Sequence, residues 1–397
     1  MHEDELIATL TVCSAVAFVC GLAAERVRLP PLVGYLLAGI VVGPFTPGLA
    51  ADTHLAPQLA EIGVVFLMFG VGTHFSLDDL LAVKRIAVPG ALIQIVAATA
   101  LGAAVALLWG WAGEQAIVFG IALSVASTVV LLKALERQGR LQSSDGRIAI
   151  GWLIVEDLAM VLVLVVLPIW AEALAPSATA RGDAGGHGLW MMLGATLGRV
   201  VLFAVIMLVI GSRAVPWLLK VVARMESREL FTLAAIALSL GVAYVASRLF
   251  DVSMALGAFF AGMVVNKSEL SHRATSYLKP LEDLFAALFF VAVGMLFDPG
   301  VLIQRPLQVL AVLGIILVGK SLVALAIVKL LGYPWSTAVN VSACLAQIGE
   351  FSFILTVMAV QLHLLPPEAQ SLILSGALLS IIANHLLLSG VSKLRMR

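Results

Sequence analysis

Two adjacent acids, Glu156 and Asp157, stand in the run Gly151-Trp-Leu-Ile-Val-Glu156-Asp157-Leu-Ala-Met-Val-Leu-Val-Leu-Val-Val-Leu-Pro168, where every near neighbour is apolar. As a membrane helix this stretch buries both carboxylates, and each charge near a helix centre costs roughly 2.5–3.5 kcal/mol. Neutral isosteres would avoid that cost, so packing alone does not account for the pair. The acids need a partner or a water-filled cavity, and their chemistry is the binding and release of protons or cations. The alternative is a buried ion pair that only fixes packing. Lys320, in Leu317-Val-Gly-Lys320-Ser-Leu-Val323, lies eleven residues before Leu331, where its helix is expected to end. That is roughly 16 Å of helix rise, too far for the amine to reach the surface along its own stem. It therefore requires an internal acceptor, and Glu156 is the expected partner, which leaves Asp157 free.

A third group is Gln347-Ile-Gly349-Glu350-Phe351, again in mid-block, and a fourth is Ser127-Thr128. A glycine beside a charge weakens a helix, and hydroxyl side chains can re-satisfy freed backbone groups. Both blocks are expected to be broken helices whose opened carbonyls and half-helix ends meet, with Glu350 compensating the end dipoles. Glu61 and Asp283 are candidates for cation-attracting mouths on the two membrane faces; a carboxylate favoured by a helix N-terminus is the plainer reading. No Walker loop, HExxH, GxSxG or nucleic-acid patch is present.

The elements that must position these groups follow from composition. Of 397 residues, 61% are apolar and 12% charged, against roughly 25% charged in soluble domains. The apolar residues come in blocks long enough to cross a bilayer, about thirteen in all at roughly 20 residues per crossing, and lipid requires them to be helices. The blocks are expected near 5–24, 31–43, 56–75, 85–111, 114–136, 145–170, 188–222, 228–248, 252–266, 277–297, 303–331, 335–361 and 366–393, the seventh interrupted by Pro216. The acidic start, Met-His-Glu-Asp-Glu, is followed by no small-residue cleavage site, so no cleaved signal peptide is expected. Cys13, Cys20 and Cys344 lack metal spacing and read as packing residues. With the N-terminus outside, nearly all loop Lys and Arg fall in the cytoplasm, leaving Arg181, Arg248 and Arg305 outside, as the positive-inside bias requires.

A repeat is visible within the chain. Gly34, Ala38, Gly39, Val41 and Val42 recur as Gly257, Ala261, Gly262, Val264 and Val265, and Val71-Gly72-x-x-Phe75 recurs as Val293-Gly294-x-x-Phe297. The offsets, 223 and 222 residues, correspond to seven helices, and an odd displacement inverts the second copy in the membrane. The same offset aligns Gly349 and Glu350 with Ser127 and Thr128, and Asp283 with Glu61. Inverted repeats with a site between them at the midplane characterise secondary transporters. A gated cation channel on the same scaffold, or a membrane sensor or anchor for a cytosolic domain, are the alternatives. An intramembrane hydrolase lacks a nucleophile–base pair.

On Arg28-Leu-Pro-Pro-Leu-Val-Gly-Tyr-Leu-Leu-Ala-Gly-Ile-Val-Val-Gly-Pro44, Ser127-Thr128-Val-Val, Glu156-Asp157 and Gln347-x-Gly349-Glu350-Phe351, the chain resembles the membrane domain of the Kef/YbaL-type monovalent cation:proton antiporters, the cation:proton antiporter-2 family. The resemblance covers essentially the whole chain. It implies an all-α fold of the sodium/proton antiporter type and a homodimer in a bacterial cytoplasmic membrane. Residues 1–84 and 225–300 would form a dimerisation domain, residues 85–176 and 301–393 a mobile ion-transporting core, and 188–222 a linker helix. It implies that Asp157 exchanges cation and proton, with Glu156, Ser127 and Thr128 beside it and Lys320 at the family's core-lysine position. Elevator-type exchange of K⁺, rather than Na⁺, for H⁺ is the expected activity. No cofactor is expected in this chain. Relatives usually continue into a cytosolic nucleotide-binding regulatory domain, whereas this sequence stops at Arg397. The position before the aspartate varies between acid and amide among relatives and is Glu156 here, which bears on stoichiometry: if it stays ionised against Lys320, one proton exchanges per cation and transport is electroneutral, and if it also titrates, transport is electrogenic.

Overall fold

The computed structural model describes residues 2–46, 55–74, 77–137, 139–140, 143–174, 187–250 and 252–395. Phe75 and Arg181, used above for the repeat and the charge bias, lie outside them. Among the described residues every regular element is helical: α1 (His2–Arg26), α2 (Pro31–Val42), α3 (Leu55–His74), α4 (Leu77–Leu108), α5 (Gly113–Ser124), α6 (Thr128–Arg137) and α7 (Ser144–Leu174). They continue with α8 (His187–Ile206), a π turn (Met207–Gly211), α9 (Ser212–Ala223), α10 (Arg228–Phe250), α11 (Met254–Asn266) and α12 (Ser271–Met295). The last part comprises α13 (Val301–Gln304), α14 (Pro306–Gly314), a second π turn (Ile315–Gly319), α15 (Lys320–Leu330), α16 (Trp335–Leu345), α17 (Glu350–Gln361) and α18 (Pro367–Arg395).

Local chemistry sets many of these ends. Arg28, at φ 66°, turns the chain out of α1, and Pro30-Pro31 starts α2, where the missing N–H costs nothing. Ser253 caps α11, its hydroxyl accepting from the Leu256 N–H at 3.3 Å. The interruption expected at Pro216 lies instead in the π turn five residues earlier, and Pro216 is inside α9. A wide turn upstream accommodates the carbonyl that the proline leaves without a donor. Helices α4 and α12 begin before their apolar blocks do, because charged turns such as those holding Lys84 and Arg273 can be helical outside hydrocarbon.

The bundle is apolar on the outside. Val96, Leu108, Leu249, Ile303, Leu307 and Leu330 are all exposed, which only a lipid environment makes favourable over such an extent. Among the described residues six helices are each long and apolar enough to cross a membrane, and α16 with α17 passes as a seventh span bent by 42°. The protein is a multi-pass membrane protein.

Helices α1–α3 pack with α10–α12, while α4–α7 pack with α14–α18; α18 also touches α2. In the first group the backbones themselves meet. A Cβ on Gly39 would lie 2.7 Å from the Gly294 Cα, and one on Gly72 would lie 3.0 Å from the Gly262 Cα. No residue larger than glycine fits these crossings, as in close-packed membrane helices generally. Gly262→Leu should therefore destabilise the solubilised protein by more than the about 1–3 kcal/mol of ordinary overpacking, seen as a lower thermal midpoint. Gly241→Ala, whose added Cβ meets open space inside α10, should not lower it.

Candidate functional site

The site is built from two interruptions. Between α5 and α6 the chain is non-helical over Val125–Ser127, extended at Val125, and between α16 and α17 it is non-helical over Ala346–Gly349. Gly349 takes an extended conformation, φ −128° and ψ −166°. A Cβ there would stand 2.5 Å from the Ser127 Cα and 2.9 Å from its nitrogen. The two breaks thus cross in backbone contact, Ser127 against Gly349. Four helix ends converge: the C-termini of α5 and α16, and the N-termini of α6 and α17. Their partial charges, about half an electron each, must be answered by groups inside the bundle.

The side chains do so. Lys320, fully buried, donates its ammonium to the Gln347 carbonyl at 2.8 Å, at the C-terminal end of α16. Glu350, 1% exposed, occupies the first turn of α17. Its Oε2 accepts from the Ser127 hydroxyl at 3.1 Å. The Ser127 oxygen in turn accepts from the Val130 N–H at 3.2 Å, capping α6. Thr128 donates its hydroxyl to Asp157 Oδ2 at 2.9 Å. The Gln347 amide donates to the Cys344 carbonyl at 3.3 Å and, at a long 3.5 Å, to the Ser127 carbonyl.

Glu156 behaves differently from its neighbour. Oε1 accepts from the Gln94 amide at 2.6 Å, and Oε2 from the Ala126 N–H at 2.8 Å, a donor freed by the break. Both oxygens are thus occupied. The expected ion pair with Lys320 is a point of correction: among the described residues no nitrogen of Lys320 lies within ion-pair distance of Glu156, and the amine goes to a carbonyl instead. The charges still act on one another through space. By contrast, one oxygen of each remaining acid, Asp157 Oδ1 and Glu350 Oε1, is buried without a hydrogen-bond partner, as is Gln347 Oε1. Buried acceptors are rarely left so, and what they lack is a donor or a cation.

Sequence reasoning did not find Gln94 or the cluster below it. An isolated amide inside Ala91-Leu-Ile-Gln94-Ile-Val96 is the signal that was available for the first. In the second, Asp145 Oδ2 accepts from Arg140 at 3.1 Å and from the Asn340 amide at 2.8 Å. It ties the first turn of α7 to α16 and so helps to hold the second break in place. The two candidate mouths lie elsewhere. Glu61 lines a cavity of about 490 Å³ between α3, α10–α12 and α17, whose wall includes Phe289, Ile354 and Gln361. Asp283 is exposed and pairs with Lys279 at 3.2 Å, which also holds Glu282 at 2.9 Å.

Buried acids at a crossing of two interrupted helices, in a bundle with an apolar exterior, are the parts of a membrane transporter that handles ions. The fold is that of the sodium proton antiporter MjNhaP1 from Methanocaldococcus jannaschii, with a TM-score of 0.71 over 98% of this chain and 99% of that one at 16% identity. YbaL of Escherichia coli (strain K12), provisionally named a cation/proton antiporter, is 56% identical over 99% of this chain and 69% of its own length. K(+) efflux antiporter 4 of Arabidopsis thaliana is 33% identical over 94% of this chain and 61% of its own. Residues 14–391 match the family described as sodium/hydrogen exchanger, transmembrane, and the chain belongs to that family, whose members are cation/proton antiporters and not enzymes.

Gln94→Leu removes a charge-assisted hydrogen bond from a buried carboxylate, a loss of about 1.5–3 kcal/mol. Thermal unfolding of the Gln94→Leu and Glu156→Gln proteins and of the double variant should give a coupling above about 0.5 kcal/mol. Additive effects would show that the two side chains do not act together.

Proposed function

We propose that this protein exchanges a monovalent cation for a proton across the membrane, and that Asp157 carries the two in turn. The observation behind it is the Asp157 carboxylate: one oxygen takes the Thr128 hydroxyl, and the other is buried with no donor. A carboxylate in this setting accepts either a proton or a dehydrated cation, never both. Ser127, Thr128 and opened carbonyls replace part of the cation's hydration shell, as oxygen donors do in cation filters. Competition for one acid couples the two flows.

Alternating access would come from an elevator-type movement of a core, residues 85–176 and 301–393, against a dimerising scaffold, residues 1–84 and 225–300, with 188–222 as linker. The separate packing of the two helix groups supports this division. The repeat supports it too. Under the 222–223 residue offset, the Gly39–Gly294 contact maps onto Gly262–Gly72, and Ser127 touches its own counterpart Gly349. Contacts that exchange in this way are what a pseudo-two-fold axis through the crossing produces. Thirteen crossings with the N-terminus outside agree with the charge bias, in the cytoplasmic membrane of a bacterium. No cofactor in this chain takes part.

Glu156, with both oxygens held by donors, stays ionised, so one proton moves per cation and exchange is electroneutral. The name of the Arabidopsis relative favours K⁺ over Na⁺. Purified protein in proteoliposomes with an imposed pH gradient tests the reading. Addition of K⁺ should dissipate the gradient, and Asp157→Asn should reduce the rate to the protein-free background. Dissipation by the Asn variant at the wild-type rate would refute it. An imposed membrane potential should leave the initial rate unchanged.

A further inference from the structure

We infer that Glu350 is the second carboxylate of the cation site and, with the Gln347 side-chain oxygen, a direct ligand of the transported ion; the inference rests on the proposal that Asp157 binds that ion. Of the three acids at the crossing, Glu156 is nearest to Asp157 in sequence and is the natural candidate for a second ligand. Its oxygens are committed, one to the Gln94 amide and one to the Ala126 N–H. A cation approaching Glu156 would have to displace both donors.

Glu350 is placed otherwise. Ser127 and Thr128 are consecutive, so their Cα atoms are about 3.8 Å apart. One donates its hydroxyl to Glu350 and the other to Asp157. The two carboxylates therefore flank the same two residues of the same break. Each keeps one buried oxygen with no partner, and Gln347, three residues before Glu350 across the second break, contributes a third such oxygen. All three belong to side chains at least nine-tenths buried.

A helix N-terminus accounts for an acid at this position but not for its idle oxygen. The Glu350 carboxylate meets its own first-turn N–H, as an acid serving the end dipole does, and still leaves Oε1 without a partner. Lys320 does not fill the gap either, because its ammonium is held by the Gln347 carbonyl on the other side of the break. Ionised carboxylates and an amide oxygen are acceptors alone. Three of them left open in a buried setting form a coordination set for a desolvated cation. Access agrees with this. The cavity that carries Glu61 on its wall reaches Ile354, one helical turn along α17 from Glu350, which is about 6 Å of rise.

A ligand role and a packing role separate in transport kinetics. Glu350→Gln keeps the shape and an acceptor for Ser127 but removes the charge. It should raise the half-saturating K⁺ and Na⁺ concentrations tenfold or more, with the maximal rate at saturating cation within about twofold of wild type, the signature of lost binding. The stabilisation of the solubilised protein by KCl against heat should shrink in parallel. A Glu350→Gln protein with wild-type half-saturation, or one in which only the maximal rate falls, overturns the assignment. Should that variant fail to fold, Glu350→Asp, which keeps the charge and sets it back by one methylene, replaces it, and unchanged half-saturation there is equally decisive. Activity remaining in Asp157→Asn would instead remove the reading on which the inference stands.

Discussion

A helix that stops inside a membrane leaves backbone donors and acceptors that water cannot reach, and everything else in this molecule is arranged around that constraint. Two such stops are stacked on one another, with glycine the only residue that lets Ser127 and residue 349 approach so closely. Several of the freed groups are answered by side chains of the bundle. Glu156 on α7 takes the Ala126 N–H, Lys320 on α15 takes the Gln347 carbonyl, and Ser127 returns its oxygen to the start of α6. The crossing is thereby a hub through which α4, α7 and α15 are joined to both interrupted spans. Remove it and those buried charges lose the partners that make their burial tolerable.

Much of this was written in the sequence, for identifiable reasons. Acids and an amine at membrane depth are costly, so Glu156, Asp157, Lys320 and Glu350 stand out against an apolar background without any structure. Gly349 beside an acid marked the second break, and the repeat carried that mark back to Ser127. What the sequence does not display is backbone. Lys320 was expected to seek Glu156 because carboxylates are visible as letters and opened carbonyls are not; the amine found one of the latter. Gln94 escaped notice for a related reason. An amide in a transmembrane block carries no charge to flag it, and its importance appears only when its partner is known. Helix ends were misjudged where polar turns continue a helix beyond the hydrocarbon, and the Pro216 interruption was misplaced because a proline distorts the turn before it.

The two halves of the bundle are stabilised differently. In α2, α3, α11 and α12 the seams are glycine on backbone, with dispersion and close approach supplying the attraction that lipid cannot. In α4, α6, α7, α15 and α16 a side-chain core around Trp152, Leu131 and Leu345 surrounds the polar crossing. The Asp145 cluster closes that core at one end. A single family fold accommodates both styles because each half satisfies its own backbone internally.

The π turn at Ile315–Gly319 has a geometric corollary. It places one surplus residue in the span immediately ahead of Lys320, and a surplus residue changes the azimuth of everything beyond it by about 100°. The span is consequently wound in two phases, α14 meshed with α18 and α15 meshed with α16 and α4. A continuous α-helix of the same composition could satisfy one mesh or the other. The amine's bearing toward the crossing is thus fixed by a count of residues rather than by the identity of any of them, and trimming that count by one would swing the cation away from its carbonyl while leaving every chemical group in the chain intact.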